Sequence, residues 1–248
     1  MSQSLDRALQ LLWDVAESPK TIRALAERLA VHPTTALRLV QSLQERRMVE
    51  RQANGEYRLG SGVLELGQRA AERIDIRAVA APHMRELGRA TGETVHLAVL
   101  AADNVVYVDK VDSVHPVRMY SRIGIVAPLH CTGVAKAFLA FLDDEERERL
   151  IARTPLERYN DRTLTTADAL RADLTLSRER GYAIDAEEHE TGIHCVAAPV
   201  LNADGTVAGS MSVSAPTSRV GRDALLAFVP PLLEAARRSS AGLGYAPR

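Results

Sequence analysis

The sequence contains few cysteines, no long apolar run and no excess of charge of one sign. Two cysteines, Cys131 and Cys195, are too few for a disulfide framework, so we expect buried thiols. No stretch approaches the roughly 18 consecutive apolar residues of a membrane helix, and Asp6 and Arg7 stand where a signal peptide would be apolar. We therefore expect a cytoplasmic protein without a membrane partner.

The charges nearly balance, with 31 Lys and Arg against 32 Asp and Glu, which argues against a uniformly basic surface. Residues 1–60 hold nine Lys and Arg against seven Asp and Glu, a mild bias that permits DNA binding at the front of the chain. The length of 248 residues, with 46% hydrophobic and 25% charged residues, is typical of a globular protein of one or two domains and excludes disorder and collagen.

Three short helices are predicted at the front of the chain. The first has apolar residues at helical spacing and ends at Ser18-Pro19. The second runs from Thr21 to about Ala30, and the third begins at Pro33 and should carry Leu37, Val40 and Leu43 inward. The apolar residues of the first helix are Leu5, Leu9, Leu12, Trp13 and Ala16, and those of the second are Ile22, Leu25, Ala26 and Leu29.

A hairpin is predicted after these helices, with strands at 48–52 and 56–59 around Asn54-Gly55, a strong hairpin signal. Helix, helix, turn, helix and hairpin is the order of a winged helix-turn-helix, whose second motif helix enters the major groove of DNA. We assign residues 1–60 to this domain and expect double-stranded operator DNA as its partner.

Six polar side chains are candidates for DNA contact. Hydroxyl, guanidinium and amide groups facing outward on the third helix can bond phosphates or base edges, and basic residues of the hairpin suit phosphates or the minor groove. The alternative is a solvated helix face beside a plain hairpin. The candidates are Thr34, Thr35, Arg38 and Gln41 on the helix and Arg51 and Arg58 on the hairpin.

Gly60-Ser61-Gly62 marks a break, and helical spacing returns over 61–92, which we assign to a helical linker that could also form a dimer contact. Residues 93–248 form the second domain, with an α+β pattern of strands and helices that do not alternate strictly. Strands are predicted at 94–101, 105–111, 117–123, 195–201 and 207–214. Helices are predicted at 134–142, 144–152, 167–180 and from Asp223 to about Leu243.

Two long motifs of this second domain resemble hallmarks of the IclR family of bacterial transcriptional regulators. The first is RIGIVAPLHCTGVAKA, residues 122–137, and the second is AEEHETGIHCVAAPV, residues 186–200. The resemblance extends over essentially the whole chain. One departure is Ala135, where the family often has Gly, and its methyl group could narrow a pocket wall or only adjust helix packing.

The resemblance implies a GAF-like effector-binding domain with an antiparallel sheet and flanking helices, in a homodimer or a dimer of dimers. It implies a small organic acid as effector and no cofactor. We expect no catalysis, because the sequence has no G-x-S-x-G elbow, no Walker loop and no G-x-G-x-x-G motif. The runs VRMYSRIG at 117–124 and ETVHL at 93–97 look closest to regulators of 2-keto-3-deoxygluconate and related sugar-acid catabolism. By the same resemblance, the effector is touched by Met119, Asp185, Ile193, Cys195, Ser212 and Ser214.

The residues themselves suggest where a carboxylate could bind. Thr132 can cap a helix that opens at Gly133, and the amides of Gly133 and Val134 would then face the ligand at the positive end of the helix dipole. A plain glycine turn before a core helix is the alternative. Ser212 and Ser214 share one strand face and could meet a polar ligand, or their hydroxyls could be satisfied by backbone or water.

Two other chemistries have weaker support. The His-Cys pairs at 130–131 and 194–195 invite a zinc site, but adjacent strand residues face opposite ways and metal-ligand spacings are missing, so we expect no metal. Glu187, Glu188 and Glu190 around His189 could serve acid-base catalysis, although such a charged run is more often a solvated loop. Arg118, Tyr120 and Arg122 would share one strand face, suited to an anion or to a subunit contact.

Overall fold

The computed structural model describes residues 3–71, 74–116, 119 and 121–247. The chain divides into two compact units, Met1–Arg73 and Ile74–Arg248. This division lies inside the segment 61–92, the expected helical linker. Among the described residues, no helix is long and apolar enough to cross a membrane.

The first unit consists of helices α1 to α4 and one hairpin. The elements are α1 (Gln3–Glu17), α2 (Ile22–Arg28), α3 (Pro33–Glu45), β1 (Val49–Arg51), β2 (Tyr57–Leu59) and α4 (Ser61–Ala71). The strands pair antiparallel, with Glu50 opposite Arg58. A core of apolar side chains joins α1, α2, α3 and the hairpin: Leu11, Val15, Leu25, Leu29, Val40, Val49 and Tyr57.

Local chemistry sets the limits of these elements. The Thr21 side chain accepts a hydrogen bond from the amide of Ala24 and begins α2, while the His32 imidazole caps α3 in front of Pro33. Between the two helices Ala30 has a φ of 51°, a left-handed conformation that an alanine adopts at a cost. The hairpin turns at Gly55, whose φ is 86°.

Helix α1 is apolar on two opposite faces, which differs from a simple amphipathic helix. Leu11 and Val15 are buried, whereas Leu5, Leu9 and Trp13 lie on the opposite side and are 59%, 51% and 73% exposed. Of the apolar residues that predicted the helix, Leu12 packs against the core, whereas most of the others face outward.

The prediction that Leu37 of α3 points inward is wrong, since that side chain is exposed. Val40 is fully buried and Leu43 is half-buried, so α3 packs along a narrower stripe than expected.

The second unit is a six-stranded antiparallel sheet in the order β5-β4-β3-β8-β7-β6 with helices on both faces. Its helices are α5 (Ile76–Thr91), α6 (Gly133–Phe141), α7 (Asp144–Arg153), α8 (Ala167–Arg180), α9 (Arg222–Ala227) and α10 (Val229–Gly242). Its strands are β3 (Thr94–Ala101), β4 (Asn104–Val111), β5 (Val126–Ala127), β6 (Ala183–Asp185), β7 (Ile193–Leu201) and β8 (Val207–Pro216).

The two faces of the sheet have different characters. Helices α5, α9 and α10 cover one face, the back face, over an apolar core that includes Leu97, Val196 and Val213. Helix α6 lies on the other face, the front face, with α8 packed against it. Because strand residues alternate, polar residues of β3, β6 and β8 face α6 while their apolar neighbours face the back.

Three details differ from the sequence-based predictions. The strand predicted at 117–123 is not observed at Met119 or at residues 121–123. The other residues of that range, among them Arg118 and Tyr120, lie outside the described residues. The expected C-terminal helix is two helices, which meet at Phe228 in front of a Pro-Pro pair. Strands β5 and β6, of two and three residues, were not predicted because such short segments show no periodicity.

Candidate functional site

The four candidate residues of α3, Thr34, Thr35, Arg38 and Gln41, are all exposed. Thr34 also hydrogen bonds locally, because its hydroxyl lies 3.1 Å from His32 Nδ1. The His32 cap, which the sequence did not reveal, ties the first turn of the helix to the preceding loop. The exposed face of α3 thus presents two hydroxyls, a guanidinium and an amide to a partner.

The hairpin presents its two arginines differently. Arg51 is exposed on β1. Arg58 is exposed as well, but its Nε donates to Glu50 Oε1 at 2.6 Å across the strand pair. A phosphate would have to compete with Glu50 for Arg58. The two positions are therefore unequal as candidates for DNA contact.

The N-terminus of α6 lies against β6 and β7 on the front face of the sheet. Thr132 is the N-cap residue, but its hydroxyl donates to the Pro128 carbonyl at 2.8 Å and makes no cap hydrogen bond. The expectation that this side chain caps the helix is wrong. The amides of the first turn thus keep their hydrogen-bonding capacity for another acceptor.

Gly133 is where the backbone comes closest to the strands. A methyl group built there would lie 3.1 Å from Cys195 Cβ and 3.9 Å from Asp185 Cβ. The structure therefore brings together three of the predicted effector residues, from three separate segments of the chain. Val134 follows in the helix, is buried, and accepts a hydrogen bond at its carbonyl from Ser210 at 2.8 Å.

Asp185 ends strand β6 and is 3% exposed. Its Oδ1 accepts a hydrogen bond from the amide of Glu188 at 2.8 Å. Burial, with a smaller contribution from the negative charge of Glu188, raises the pKa of Asp185 to about 7. At neutral pH this carboxyl can therefore both donate and accept hydrogen bonds.

The front face of the sheet carries a chain of polar groups leading away from Asp185. The Cys195 thiol donates to Ser214 Oγ at 3.0 Å, and that hydroxyl lies 3.5 Å from His96 Nδ1. The other ring nitrogen of His96 lies 2.7 Å from Ser121 Oγ. Ser212 is on β8, the strand between β3 and β7, and is paired in register with His96 of β3. Its hydroxyl has no hydrogen-bond partner among the described residues.

Burial controls the protonation of this polar chain. It lowers the pKa of His96 to about 3, so the imidazole is neutral at pH 7. Burial also raises the pKa of the Cys195 thiol, and it raises the pKa of the Cys131 thiol to about 12. The Tyr107 ring lies 4.8 Å from that of His96 and closes the same region. His96, Tyr107 and Ser121 were not among the predicted residues, although a His within an apolar strand was a visible signal.

The apolar part of the site is a cluster of Met119, Ile193 and Cys195, all of them buried. Seven of the eight predicted effector residues therefore lie at the α6 N-terminus or on the adjoining part of the sheet, and Met119, outside any strand, packs against Ile193 and Cys195. Ala135 is fully buried in the apolar cluster that α6 forms with the sheet and its neighbouring helices. Its methyl group thus takes part in helix packing.

An ion pair that the sequence did not reveal secures the segment after Asp185. Lys136 of α6 is fully buried, and its Nζ lies 2.7 Å from both carboxylate oxygens of Glu188 and 3.1 Å from Asp173. Burial raises the pKa of Glu188, against the opposing effect of Lys136. The expectation of a solvated loop is wrong for Glu188, which is 6% exposed.

The structure gives little support to the zinc site or to acid-base catalysis by the glutamates around His189. Among the described residues, no three His, Cys, Asp or Glu side chains are grouped to hold a metal ion. His130 Nε2 is bonded to the Glu157 carbonyl at 2.9 Å, and Glu187 is paired with Arg162. These side chains serve as structural contacts.

Comparisons with known proteins agree with this architecture. Residues 4–53 match the IclR helix-turn-helix domain, and residues 68–241 match the family described as bacterial transcriptional regulator IclR, C-terminal. The chain is 38% identical to the Escherichia coli regulator KdgR over 225 residues, covering 90% of this chain and 86% of KdgR. It is 36% identical to E. coli XynR, covering 98% of each chain.

A solved structure is similar over nearly the whole length. It is that of the Agrobacterium tumefaciens repressor BlcR, with a TM-score of 0.81 and 26% identity, covering 98% of this chain and 97% of that one. The matching families and relatives are transcriptional regulators rather than enzymes. The expected α+β class and winged helix-turn-helix are confirmed. The chain belongs to the IclR family of transcriptional regulators, with a DNA-binding helix-turn-helix domain and a C-terminal effector-binding domain.

Proposed function

We propose that this regulator senses a hydroxylated carboxylate of the sugar-acid type and changes its affinity for operator DNA in response. The observation that carries the proposal is the N-terminus of α6, whose first-turn amides lack a side-chain cap and lie beside Asp185 and Cys195. The amides and the helix dipole attract an anion, with an effect of up to about 2 kcal/mol in a partly buried site.

The charges around the site favour a carboxylate bound by backbone amides. Lys136, the buried cation nearby, is already paired with Glu188 and Asp173. An ionised Asp185 would repel the ligand, but its raised pKa keeps much of this carboxyl protonated near neutral pH. The effector therefore meets hydrogen-bond donors without a full positive charge.

The polar groups of the sheet support a ligand that carries hydroxyls as well as a carboxylate. The unpartnered Ser212 hydroxyl, the Asp185 carboxyl and Ser214 lie on the front face, where apolar residues would otherwise be expected. Similarity to KdgR, a 2-keto-3-deoxygluconate regulator, favours the same class of ligand. A simple keto acid would leave the Ser212 hydroxyl without a partner.

Titration calorimetry tests the ligand class. We expect 2-keto-3-deoxygluconate to bind more tightly than pyruvate, and Ser212→Ala to reduce this preference. Asp185→Ala should abolish the response to effector and leave operator binding intact. Equal affinity for the two acids in the native protein would contradict the sugar-acid assignment, and failure of every acid tested to bind would contradict the site itself.

For the DNA-binding unit we propose that α3 reads bases in the major groove through Arg38 and Gln41, aided by Thr34 and Thr35. Arg51 and Arg58 of the hairpin then contact the backbone or minor groove. This assignment is supported by the exposure of all six side chains on a helix-turn-helix and its wing. Footprinting of the upstream region with the native protein and with Arg38→Ala tests the base contacts.

We also propose a homodimer, with a dimer of dimers as a further assembly. The outer face of α1 supports it, because Leu5, Leu9 and Trp13 form an exposed apolar stripe opposite the core face. Leu64 and Leu66 of α4 are also exposed. A second copy covering these side chains would place two recognition helices on one operator.

Sedimentation of native protein and of Leu9→Lys tests the dimer. We expect the variant to dissociate and lose operator affinity, whereas Arg23→Ala, a change of an exposed residue on α2, should do neither. A monomeric native protein at micromolar concentration would contradict the dimer.

Regulation then follows as a population shift. Effector binding at α6 favours one arrangement of the two recognition helices over another, and the linker segment 61–92 transmits the change. This requires unequal affinity of the effector for the two arrangements. Gel shifts with and without bound effector test it, since unchanged operator affinity would contradict the mechanism.

A further inference from the structure

A small cavity, the rear cavity, lies on the back face of the sheet where β6 and β7 meet α9. Its volume is about 100 Å³, and Ile184, Ala186, Leu225 and Leu226 form its apolar walls. The polar side chains that line it are Arg162, Glu187, His194 and Arg222. It shares no lining residue with the α6 site. We propose that it binds a short-chain monocarboxylate and thereby modulates effector binding.

The two sites lie back to back across the same two strands. On β6, Ile184 lines the rear cavity while Asp185 faces α6. On β7, His194 lines the rear cavity while Cys195 packs against Gly133. Since side chains alternate along a strand, each strand gives adjacent residues to opposite sites. A ligand in the rear cavity therefore acts on the strands that hold the effector residues.

The charges of the rear cavity suit one anion. Arg222 is exposed at the start of α9 and has no ion-pair partner among the described residues. Arg162 is paired with Glu187, and the other carboxylate oxygen of Glu187 accepts a hydrogen bond from the Gly192 amide at 2.8 Å. Glu187 is thus held in place, and the lining keeps one net positive charge.

His194 adds a buried polar group to the wall of the cavity. It is 7% exposed, and its Nε2 is buried without a hydrogen-bond partner among the described residues. Buried polar atoms are seldom left in this state. Burial lowers the pKa of His194, opposed by Glu187 and by a hydrogen bond with the Val220 backbone. A neutral imidazole adds no charge, so Arg162, Arg222 and Glu187 set the net charge of the lining.

The size and the walls of the cavity select the ligand. The cavity is small, about 100 Å³, and apolar side chains form much of its wall. Acetate or propionate fits this space, with its alkyl group against Ile184 and Leu225 and its carboxylate towards Arg222. A sugar acid carries several hydroxyls that these apolar walls would leave without hydrogen-bond partners. Inorganic phosphate has the charge but lacks the apolar group that the walls would cover.

Segment 186–192 joins the two sites. Glu187 and Ala186 line the rear cavity, whereas Glu188 is bonded to Asp185 and Lys136 on the other side. A carboxylate that draws Arg162 away from Glu187 would move this segment. By linkage, the rear ligand and the effector change each other's affinity by the same factor.

The experiment is a propionate titration followed by amide NMR shifts at Gly192 and Val220, with the full-length protein. We expect saturable shifts in the native protein and in Gly133→Ala, which obstructs the α6 site and keeps the Asp185–Glu188 hydrogen bond. Arg222→Ala should weaken propionate binding about tenfold, because it removes one charge-assisted contact. Arg178→Ala, a surface change on α8, should leave it unchanged.

Three outcomes overturn the proposal. They are absence of saturable binding in the native protein, loss of binding in Gly133→Ala, and equal affinity of Arg222→Ala and Arg178→Ala. Tighter binding of inorganic phosphate than of propionate overturns the ligand class. The test is distinct from that of the effector proposal, since it reads the rear cavity when the α6 site is disabled.

Discussion

Replacing Asp185 by Asn should make the protein more stable at high pH and change its stability little at low pH. Burial raises the pKa of Asp185 from 3.8 to about 7 in the folded protein. The folded state therefore prefers the protonated carboxyl. This preference for the protonated form contributes fully to the free energy of unfolding below about pH 3.8. The contribution is lost as the pH rises through about 7.

The size of the effect follows from that shift. About three pH units at about 1.4 kcal/mol each give an upper limit of roughly 4 kcal/mol. Because Asn cannot ionise, the variant does not lose this stability as the pH rises. We expect the free energy of unfolding of Asp185→Asn, relative to that of the native protein, to rise steadily between pH 4 and pH 8.

Urea unfolding followed by circular dichroism at several pH values measures this difference. The fluorescence of Trp13, the sole tryptophan, reports the first unit and serves as an internal reference. Asp204→Asn is the matched control, because hydrogen bonds from Thr206 lower the pKa of that exposed carboxyl. The difference in free energy of unfolding between Asp204→Asn and the native protein should depend only weakly on pH, with the opposite sign. A free-energy difference for Asp185→Asn that is constant from pH 4 to pH 8 would refute the argument from burial.

Three further predictions concern other parts of the chain. Arg38→Ala should weaken specific operator binding by about 1 to 3 kcal/mol, whereas Arg51→Ala should weaken all duplexes alike and reduce the salt slope, both measurable by fluorescence anisotropy. Ala30→Gly should stabilise the first unit by about 0.5 to 1 kcal/mol in Trp13 fluorescence melts, because it relieves a φ of 51°. Gly133→Ala should weaken effector binding in calorimetry, because its methyl group would lie 3.1 Å from Cys195 Cβ.

Much of the fold could be predicted because its signals are local. Helix α8 and strand β3 have the bounds expected from periodicity, and Asn54-Gly55 correctly marks the hairpin turn. The position of the α6 N-terminus likewise follows from the residues around Gly133. In these cases neighbouring side chains alone determine the backbone conformation.

What could not be predicted depends on contacts between distant residues. Glu188 belongs to a charged run and would be solvated if Lys136, 52 positions away, were not buried beside it. The hydroxyl of Thr132 finds the Pro128 carbonyl instead of its own helix. His96 becomes part of the site only because β3 pairs with β8 and places it opposite Ser212.

The two faces of the sheet show why the site is where it is. The back face of β8 carries Met211 and Val213 in the main apolar core, whereas the front face carries serines at the alternating positions. Apolar residues at those serines would bury more hydrocarbon under α6 and stabilise the domain. Stability alone therefore does not account for the polar face. The ligand that we propose would supply hydrogen bonds to Ser212 and Asp185 and so account for it, and the same alternation of side chains places the rear cavity behind these residues.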